Sequence, residues 1–174
     1  MDNNVKAFLE LVKTGLWEKE VQQSSYGDVD WETIYRLAEE QSVLGLVTAD
    51  LEHVIDVNEP QTVKLQFVGS TLQIEQRNKE MNEFVGKLTK KLHDGGVDSL
   101  VVKGQGVAQC YNRQLWRTSG DVDLLMDAAN YEKAKGVLFP IAYDIQNEDK
   151  IKKHQTLKIM GIDVDALWIV LQDR

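Results

Sequence analysis

Two stretches of this chain carry aspartates that alternate with apolar residues. The first, at residues 120–124, reads Gly-Asp-Val-Asp-Leu, and the second, at residues 161–165, reads Gly-Ile-Asp-Val-Asp. Alternation of this kind predicts β-strands with one buried face, and it places both acids of each strand on the other face. Neighbouring carboxylates repel each other unless a cation lies between them. The pattern therefore predicts a β-sheet whose polar face carries a cluster of acids.

The acids of these strands are candidate metal ligands. Asp121 and Asp123 share one face of the first strand, and Asp165 adds a third carboxylate if the second strand lies beside it; Asp163 is the weaker choice. A set of oxygen ligands suits Mg²⁺ or Mn²⁺ and does not suit zinc. Phosphoryl and nucleotidyl transfer need an arrangement of two metal ions, and carboxylates of this kind can hold them. The alternative is that Asp121 and Asp123 are a strand-end acid and a turn cap that need no metal.

A glycine-rich turn precedes the first of these strands. Lys103-Gly104-Gln105-Gly106 directly follows the apolar run Leu100-Val101-Val102. A turn of this kind between a strand and a helix can direct backbone amides to a phosphate. The single cysteine, Cys110, falls on the apolar side of the helix predicted over residues 105–111. We expect it in the core rather than as a nucleophile.

Composition restricts the partners of the chain. The 174 residues carry a formal net charge of -8, which argues against a long nucleic-acid partner but not against a nucleotide that arrives with metal ions. One cysteine excludes a disulfide within the chain and fits a reducing, cytoplasmic location. The N-terminal segment does not resemble a signal peptide, and no apolar run reaches the length of a membrane span.

Helical periodicity dominates the first part of the chain, and strand patterns dominate the second. The predicted helices cover residues 3–14 (ended by Gly15), 31–41, 44–55, 61–93, 105–111 and 128–138, with loops at 24–27, 58–60 and 112–119 and with Asp30 and Asp127 as caps. The predicted strands cover residues 97–102, 121–126, 141–145, 155–160 and 162–171. We therefore predict an α+β protein, with a helical N-terminal region (1–93) packed on a small mixed-sheet core with flanking helices (94–174).

Two further side-chain assignments follow from these elements. The polar side of the long helix is expected to be solvated, with a cleft wall as the alternative for one edge; it contains Gln73, Glu75, Gln76, Arg77, Asn78, Lys79 and Glu80. His154, near the start of the predicted hairpin, is expected at the surface rather than as a ligand.

The region from about Ser99 to Trp168 resembles a known group of enzymes. A strand that ends in a glycine-rich turn, a short helix, an Asp-x-Asp strand and a later acid together resemble the DNA polymerase β superfamily of nucleotidyltransferases. The resemblance is closer to a bacterial branch, the uncharacterised nucleotidyltransferase family. Its motif is matched by Val102-Lys103-Gly104, by Tyr111, by the segment from Arg117 to Leu125 and by Val164-Asp165-Ala166-Leu167-Trp168.

Two positions depart from that pattern, and the helical N-terminal part is less similar. Gln105 stands where the superfamily has Ser or Gly, which removes one expected phosphate contact. Leu167 stands where the family usually has His. Related chains continue into a further helical region after the core, so a fragment or a short version is expected.

The resemblance implies a function and a set of residues. It implies two-metal transfer of an NMP group from an NTP, with ATP expected, to a hydroxyl of a small molecule or a protein. Asp121, Asp123 and Asp165 would hold Mg²⁺ or Mn²⁺, with Asp165 as a candidate general base. The residues that would contact the nucleotide are Lys103, Gly104, Gln105, Arg117 and Gly120.

Several alternatives stay open. Lys103 could be a surface lysine, and Arg117 could pair with Asp121 or Asp127 and hold its loop. The protein could be a catalytically impaired module of the same fold that binds a nucleotide or a protein, which the Gln105 substitution favours. It could also be an antitoxin-like modifier of a partner protein. The sequence does not predict the oligomeric state.

Overall fold

The fold contains helices and a mixed sheet. The computed structural model of the protein describes residues 2–17, 27–54 and 59–169. In these ranges the α-helices are α1 Asn3–Trp17, α2 Trp31–Glu40, α3 Leu44–Leu51, α4 Gln61–Asp94, α5 Gly104–Ala108 and α6 Ala128–Leu138, with 3₁₀ turns at Gln114–Trp116 and Phe139–Ile141. The strands are β1 Leu100–Val102, β2 Asp121–Asp127, β3 Asp144–Ile145, β4 His154–Ile159 and β5 Ile162–Ile169. The predicted α+β class is confirmed.

Some predicted features lie outside the described residues. These are the predicted loop at residues 24–26, the start of the break at Asn58, and the strand positions after Ile169. The third helix ends at Leu51, before its predicted end at Ile55, which itself lies outside the described residues. Among the helices in the described ranges, none is both long and apolar enough to cross a bilayer.

The strands form one sheet in the order β1-β2-β5-β4-β3. β2 and β5 are parallel, and the other neighbours are antiparallel. The predicted alternation is confirmed on the central strands, since one face of each is buried. This face contributes Val122, Leu124, Met126, Leu157, Ile159, Val164, Ala166 and Trp168 to the core.

The chain divides into two compact units. The first is Met1–Lys79 with Tyr111–Thr118, and the second is Glu80–Cys110 with Ser119–Arg174. The core of the first unit comes from α1, α2, α3 and the beginning of α4, and includes Phe8, Ile34 and Phe67. The core of the second comes from the sheet, α6 and the end of α4, and there Tyr131 stacks on Trp168 with ring centroids 3.9 Å apart.

Local sequence signals fix several helix ends. The side chain of Asp30 accepts a hydrogen bond from the backbone N–H of Glu32 at 3.1 Å, and Asp127 accepts from Asn130 at 2.7 Å. Both predicted caps are therefore confirmed. The long helix ends at Asp94, where Gly96 takes a left-handed φ of +71°.

Gly15 does not end the first helix as predicted. The helix continues to Trp17, and Gly15 lies inside it. A Cβ atom at this position would collide with the backbone carbonyl of Leu46 in α3. The glycine therefore serves the close approach of two helices, which a sequence pattern does not distinguish from a helix stop.

Two further predictions near the glycine-rich turn are wrong. The short helix ends at Ala108 rather than at residue 111, so Cys110 lies beyond it and is exposed instead of buried. The strand before the turn begins at Leu100 rather than at Val97. The N–H of Val97 donates to the carbonyl of Leu92 at 3.0 Å, and this bond completes the end of the long helix.

The short strand predicted at residues 141–145 is reduced to Asp144–Ile145. Pro140 lies in the 3₁₀ turn Phe139–Ile141, which includes the first residue of the predicted strand, and proline lacks the N–H that a strand ladder needs.

The polar side of α4 is not uniformly solvated. Asn78 is 1% exposed, and its amide donates to the carbonyls of Leu115 and Arg117 at 2.7 and 2.8 Å. Glu75 accepts a hydrogen bond from the indole of Trp116 at 3.0 Å. These two side chains hold the segment 111–118 within the first unit, so the prediction of solvation was wrong for Asn78.

Candidate active site

The register of the sheet brings three carboxylates together in the second unit. Asp123 on β2 lies directly opposite Asp165 on the parallel strand β5. Asp121 is two residues before Asp123 and therefore on the same face. One carboxylate oxygen from each of these aspartates lies within 4.8 Å of the others. The burial of Val122 and Val164 on the opposite face fixes this orientation.

The three carboxylates differ in their exposure. Asp121 is exposed, Asp165 is partly buried, and Asp123 is only 2% exposed. A buried carboxylate is costly unless it is paired or hydrogen-bonded. The partner of Asp123 is Lys103, whose Nζ lies 2.6 Å from its Oδ1.

The carboxylates raise the pKa of Lys103 above its ordinary value. The hydrogen bond to Asp123 is the largest cause of this rise, and the negative charge of Asp123 adds to it. The charges of Asp121 and Asp165 contribute as well. The lysine therefore stays protonated near neutral pH and places a positive charge beside the acids.

The turn after β1 packs closely against the start of β2. Lys103 has a positive φ of 53°, and Gly104 has a φ of +25°. A Cβ atom at Gly104 would lie 2.9 Å from the hydroxyl of Ser119 and 3.2 Å from the carbonyl oxygen of Asp121. A glycine at position 104 therefore allows the turn to approach the strand that carries the acids.

The remaining predicted nucleotide contacts lie in different surroundings. Gln105 is 7% exposed, so its side chain is directed into the protein. Gly120 is exposed and directly precedes β2. Arg117 belongs to the first unit, where its guanidinium lies 5.9 Å from the centroid of the Tyr111 ring.

Two residues beside the third acid were missed by the sequence analysis. The hydroxyl of Thr156 donates to Oδ1 of Asp165 at 2.7 Å, and Nε2 of His154 lies 3.1 Å from the same oxygen. His154, expected at the surface, is partly buried and lies directly opposite Leu167 in the β4–β5 register. The sequence did contain a signal for these two residues, because buried and more polar positions alternate along β4 as they do along β5.

The other acid on β5 has a separate partner. Oδ1 of Asp163 lies 3.5 Å from Nζ of Lys158. In the described part of the chain, the group of acids that could hold a metal ion consists of Asp121, Asp123 and Asp165. The geometry therefore favours Asp165 over Asp163 as the third member of the cluster.

The donor set fits a hard divalent cation. All three ligand atoms are carboxylate oxygens, which Mg²⁺ and Mn²⁺ prefer and which zinc usually supplements with nitrogen or sulfur. Asp121, Asp123 and Asp165 would hold such an ion. Lys103 would add a positive charge for an anionic ligand.

Comparison with models of protein families gives a match that covers the site. No curated protein matches the sequence. The model of a family described as uncharacterised nucleotidyltransferase matches residues 27–174, a range that includes the whole carboxylate cluster and the glycine-rich turn. Nucleotidyl transfer is the general role of that family. The chain belongs to the uncharacterised nucleotidyltransferase family.

Proposed function

We propose that this protein is a metal-dependent enzyme that transfers an NMP group from an NTP, with ATP as the expected donor, to a hydroxyl of a small molecule or a protein. The observation that carries the proposal is the convergence of the Asp121, Asp123 and Asp165 carboxylates within 4.8 Å. They lie in a chain of a nucleotidyltransferase family, beside a glycine-rich turn.

The acids have distinct roles in this proposal. Asp121 and Asp123 are the paired ligands of the metal, and Asp165 is the third. Two Mg²⁺ or Mn²⁺ ions would supply Lewis-acid stabilisation of the charge that develops on the transferring phosphoryl group. Asp165 accepts the proton of the acceptor hydroxyl. The acceptor oxygen then bonds to the α-phosphorus, and the bond to the bridging oxygen breaks to release pyrophosphate.

Lys103 is the proposed positive contact for the triphosphate. An ammonium group has three protons to donate. A lysine that gives one to Asp123 can therefore also donate to a phosphate oxygen. Gly104, Gln105 and Gly120 are proposed to shape the backbone around the phosphates, and Arg117 is proposed as a second cation.

The choice of acceptor rests on charge. A net charge of -8 disfavours a long nucleic acid as acceptor, and a small molecule or a protein does not meet that repulsion. A bacterial, cytoplasmic setting belongs to the same proposal, and the single cysteine agrees with a reducing compartment.

The test is a transfer assay with ATP labelled at the α-phosphate. The acceptors are the small-molecule and protein fractions of a bacterial lysate, separated by ultrafiltration. We expect Mg²⁺-dependent pyrophosphate release and label transfer in one of the fractions. Asp165→Asn should lower the rate by about 100-fold or more, since it removes the proposed base. Asp163→Asn changes an acid on the same strand face and should keep most of the activity.

Two results would change the conclusion. An equal loss of transfer activity in the Asp163 and Asp165 variants would contradict the assignment of Asp165 as the third acid. Binding of ATP without any transfer would support the alternative, a catalytically impaired nucleotide-binding module of the same fold.

A further inference from the structure

Two side chains of β4 contact the third acid of the cluster. Thr156 lies directly opposite Asp165 in the antiparallel pairing of β4 and β5. His154 is two residues before Thr156 and so projects from the same face of the strand. The hydroxyl of Thr156 and Nε2 of His154 also lie 3.3 Å from each other.

The chemistry of a carboxylate defines the direction of these contacts. An ionised carboxylate only accepts hydrogen bonds, so the Thr156 hydroxyl donates to Asp165, and the hydroxyl oxygen in turn accepts from the Nε2–H of His154. The Thr156 hydroxyl lies 2.7 Å from Oδ1 of Asp165, and Nε2 of His154 lies 3.1 Å from the same oxygen, within ion-pair distance. One hydrogen bond and one close imidazole on the same oxygen restrict the rotation of the carboxylate about its Cβ–Cγ bond.

We propose that Thr156 and His154 are positioning residues that fix the carboxylate of Asp165 for binding of the metal ion. The inference rests on the proposed function. It assigns a role to a strand that carries none of the three acids. Groups that hydrogen-bond to a metal-binding side chain orient it, and their loss typically weakens metal affinity by about 10- to 100-fold.

A matched control lies on the same two strands. Lys158 pairs directly with Asp163, two residues along the register from the pair of Thr156 and Asp165, with Nζ and Oδ1 3.5 Å apart. Replacing Lys158 therefore breaks a cross-strand pair on the same sheet face without touching the cluster. It tests whether any perturbation of β4 weakens metal binding.

The experiment is a calorimetric titration of the full chain with Mn²⁺. Thr156→Val and His154→Ala should each weaken binding by about 10-fold or more. Thr156→Ser retains the hydroxyl and should restore the wild-type affinity, and Lys158→Met should not change it. Thermal unfolding in a chelator should be similar for all variants. His154 is partly exposed, so its variant should fold even if Thr156→Val does not.

A double-variant cycle separates positioning from a general structural effect. If Thr156 acts through Asp165, then Thr156→Val should weaken Mn²⁺ binding no further in an Asp165→Asn background. Additive losses would overturn the inference, as would unchanged affinity in both single variants while the wild type binds Mn²⁺; the proposed function would survive either result. Absence of Mn²⁺ binding by the wild type would overturn both.

Discussion

At the scale of single residues, the feature that matters most is the pair formed by Lys103 and Asp123. Asp123 is 2% exposed, and the lysine that neutralises it keeps 67% of its side chain accessible to solvent. Lys103 also has a positive φ of 53°, a conformation that costs a non-glycine residue about 1–3 kcal/mol. Such strain persists where the surrounding structure enforces it and is frequent at functional sites. It agrees with the proposed role of Lys103 in nucleotide binding.

A second buried acid lies outside the proposed site. Asp50 in α3 is fully buried, and neither of its oxygens has a hydrogen-bond partner among the described residues. The neighbouring hydroxyl of Thr14 donates to the carbonyl of Glu10 at 2.6 Å instead. Burial raises the pKa of Asp50 to about 6.

This pKa predicts a pH-dependent stability. The folded state holds the Asp50 proton more tightly than the unfolded state, whose pKa is near 3.8. The contribution of Asp50 to the free energy of unfolding therefore falls as pH rises from 3.8 through about 6, and the deficit remains above that range. Asp50→Asn should be more stable than the wild type at pH 7, on the order of 1 kcal/mol.

Urea unfolding of both proteins from pH 4 to pH 7 measures this difference. The gap between the two free energies should widen as pH rises through about 6. A gap that is constant over the whole range would show that the Asp50 carboxyl does not titrate in the predicted way.

At the scale of elements, the alternating pattern was sufficient to predict β2, β4 and β5 and the face on which each acid lies. The caps Asp30 and Asp127 were equally readable, because each acts within a few residues of the chain. Local signals of this kind depend little on the rest of the fold.

Features that depend on pairing between distant segments were not predictable in the same way. From the sequence we could state only that Asp165 joins the other acids if β5 lies beside β2. The sheet order β1-β2-β5-β4-β3 fulfils this condition. The contacts of Thr156 and His154 with Asp165 require the β4–β5 register, which the sequence analysis did not derive. Gly15, Asn78 and Cys110 were misread because tertiary packing and a helix end decide their surroundings.

The packing of α5 against β1 gives a prediction at the scale of elements. A Cβ atom at Gly106 in α5 would lie 2.6 Å from the carbonyl oxygen of Val101 in β1, whereas one at Gly86 in α4 would meet no atom within 4 Å beyond the backbone of its own helix. Gly106→Ala should destabilise the protein by about 1–3 kcal/mol through overpacking. Gly86→Ala should stabilise it by about 0.5–1 kcal/mol, because alanine is the better helix former.

Chemical denaturation of the two variants checks this pair. Opposite signs of the change in the free energy of unfolding are expected. A neutral effect of Gly106→Ala would mean that α5 shifts away from Val101 at little cost.

At the scale of the whole molecule, the family match covers residues 27–174 and so includes parts of both compact units. All three acids and Lys103 belong to the second unit, whereas Arg117 belongs to the first. A net charge of -8 gives the molecule little general attraction for anions. Binding of a nucleotide should therefore depend strongly on the metal ion that accompanies it.

The most direct test of the central claim is calorimetric titration of a non-hydrolysable ATP analogue with and without Mg²⁺. The wild type and Asp163→Asn should bind the analogue only when Mg²⁺ is present. Asp121→Ala/Asp123→Ala should lose this binding while it remains folded by circular dichroism. Absence of binding, binding that does not need the metal, or wild-type affinity in the double variant would contradict a metal-nucleotide site at these carboxylates.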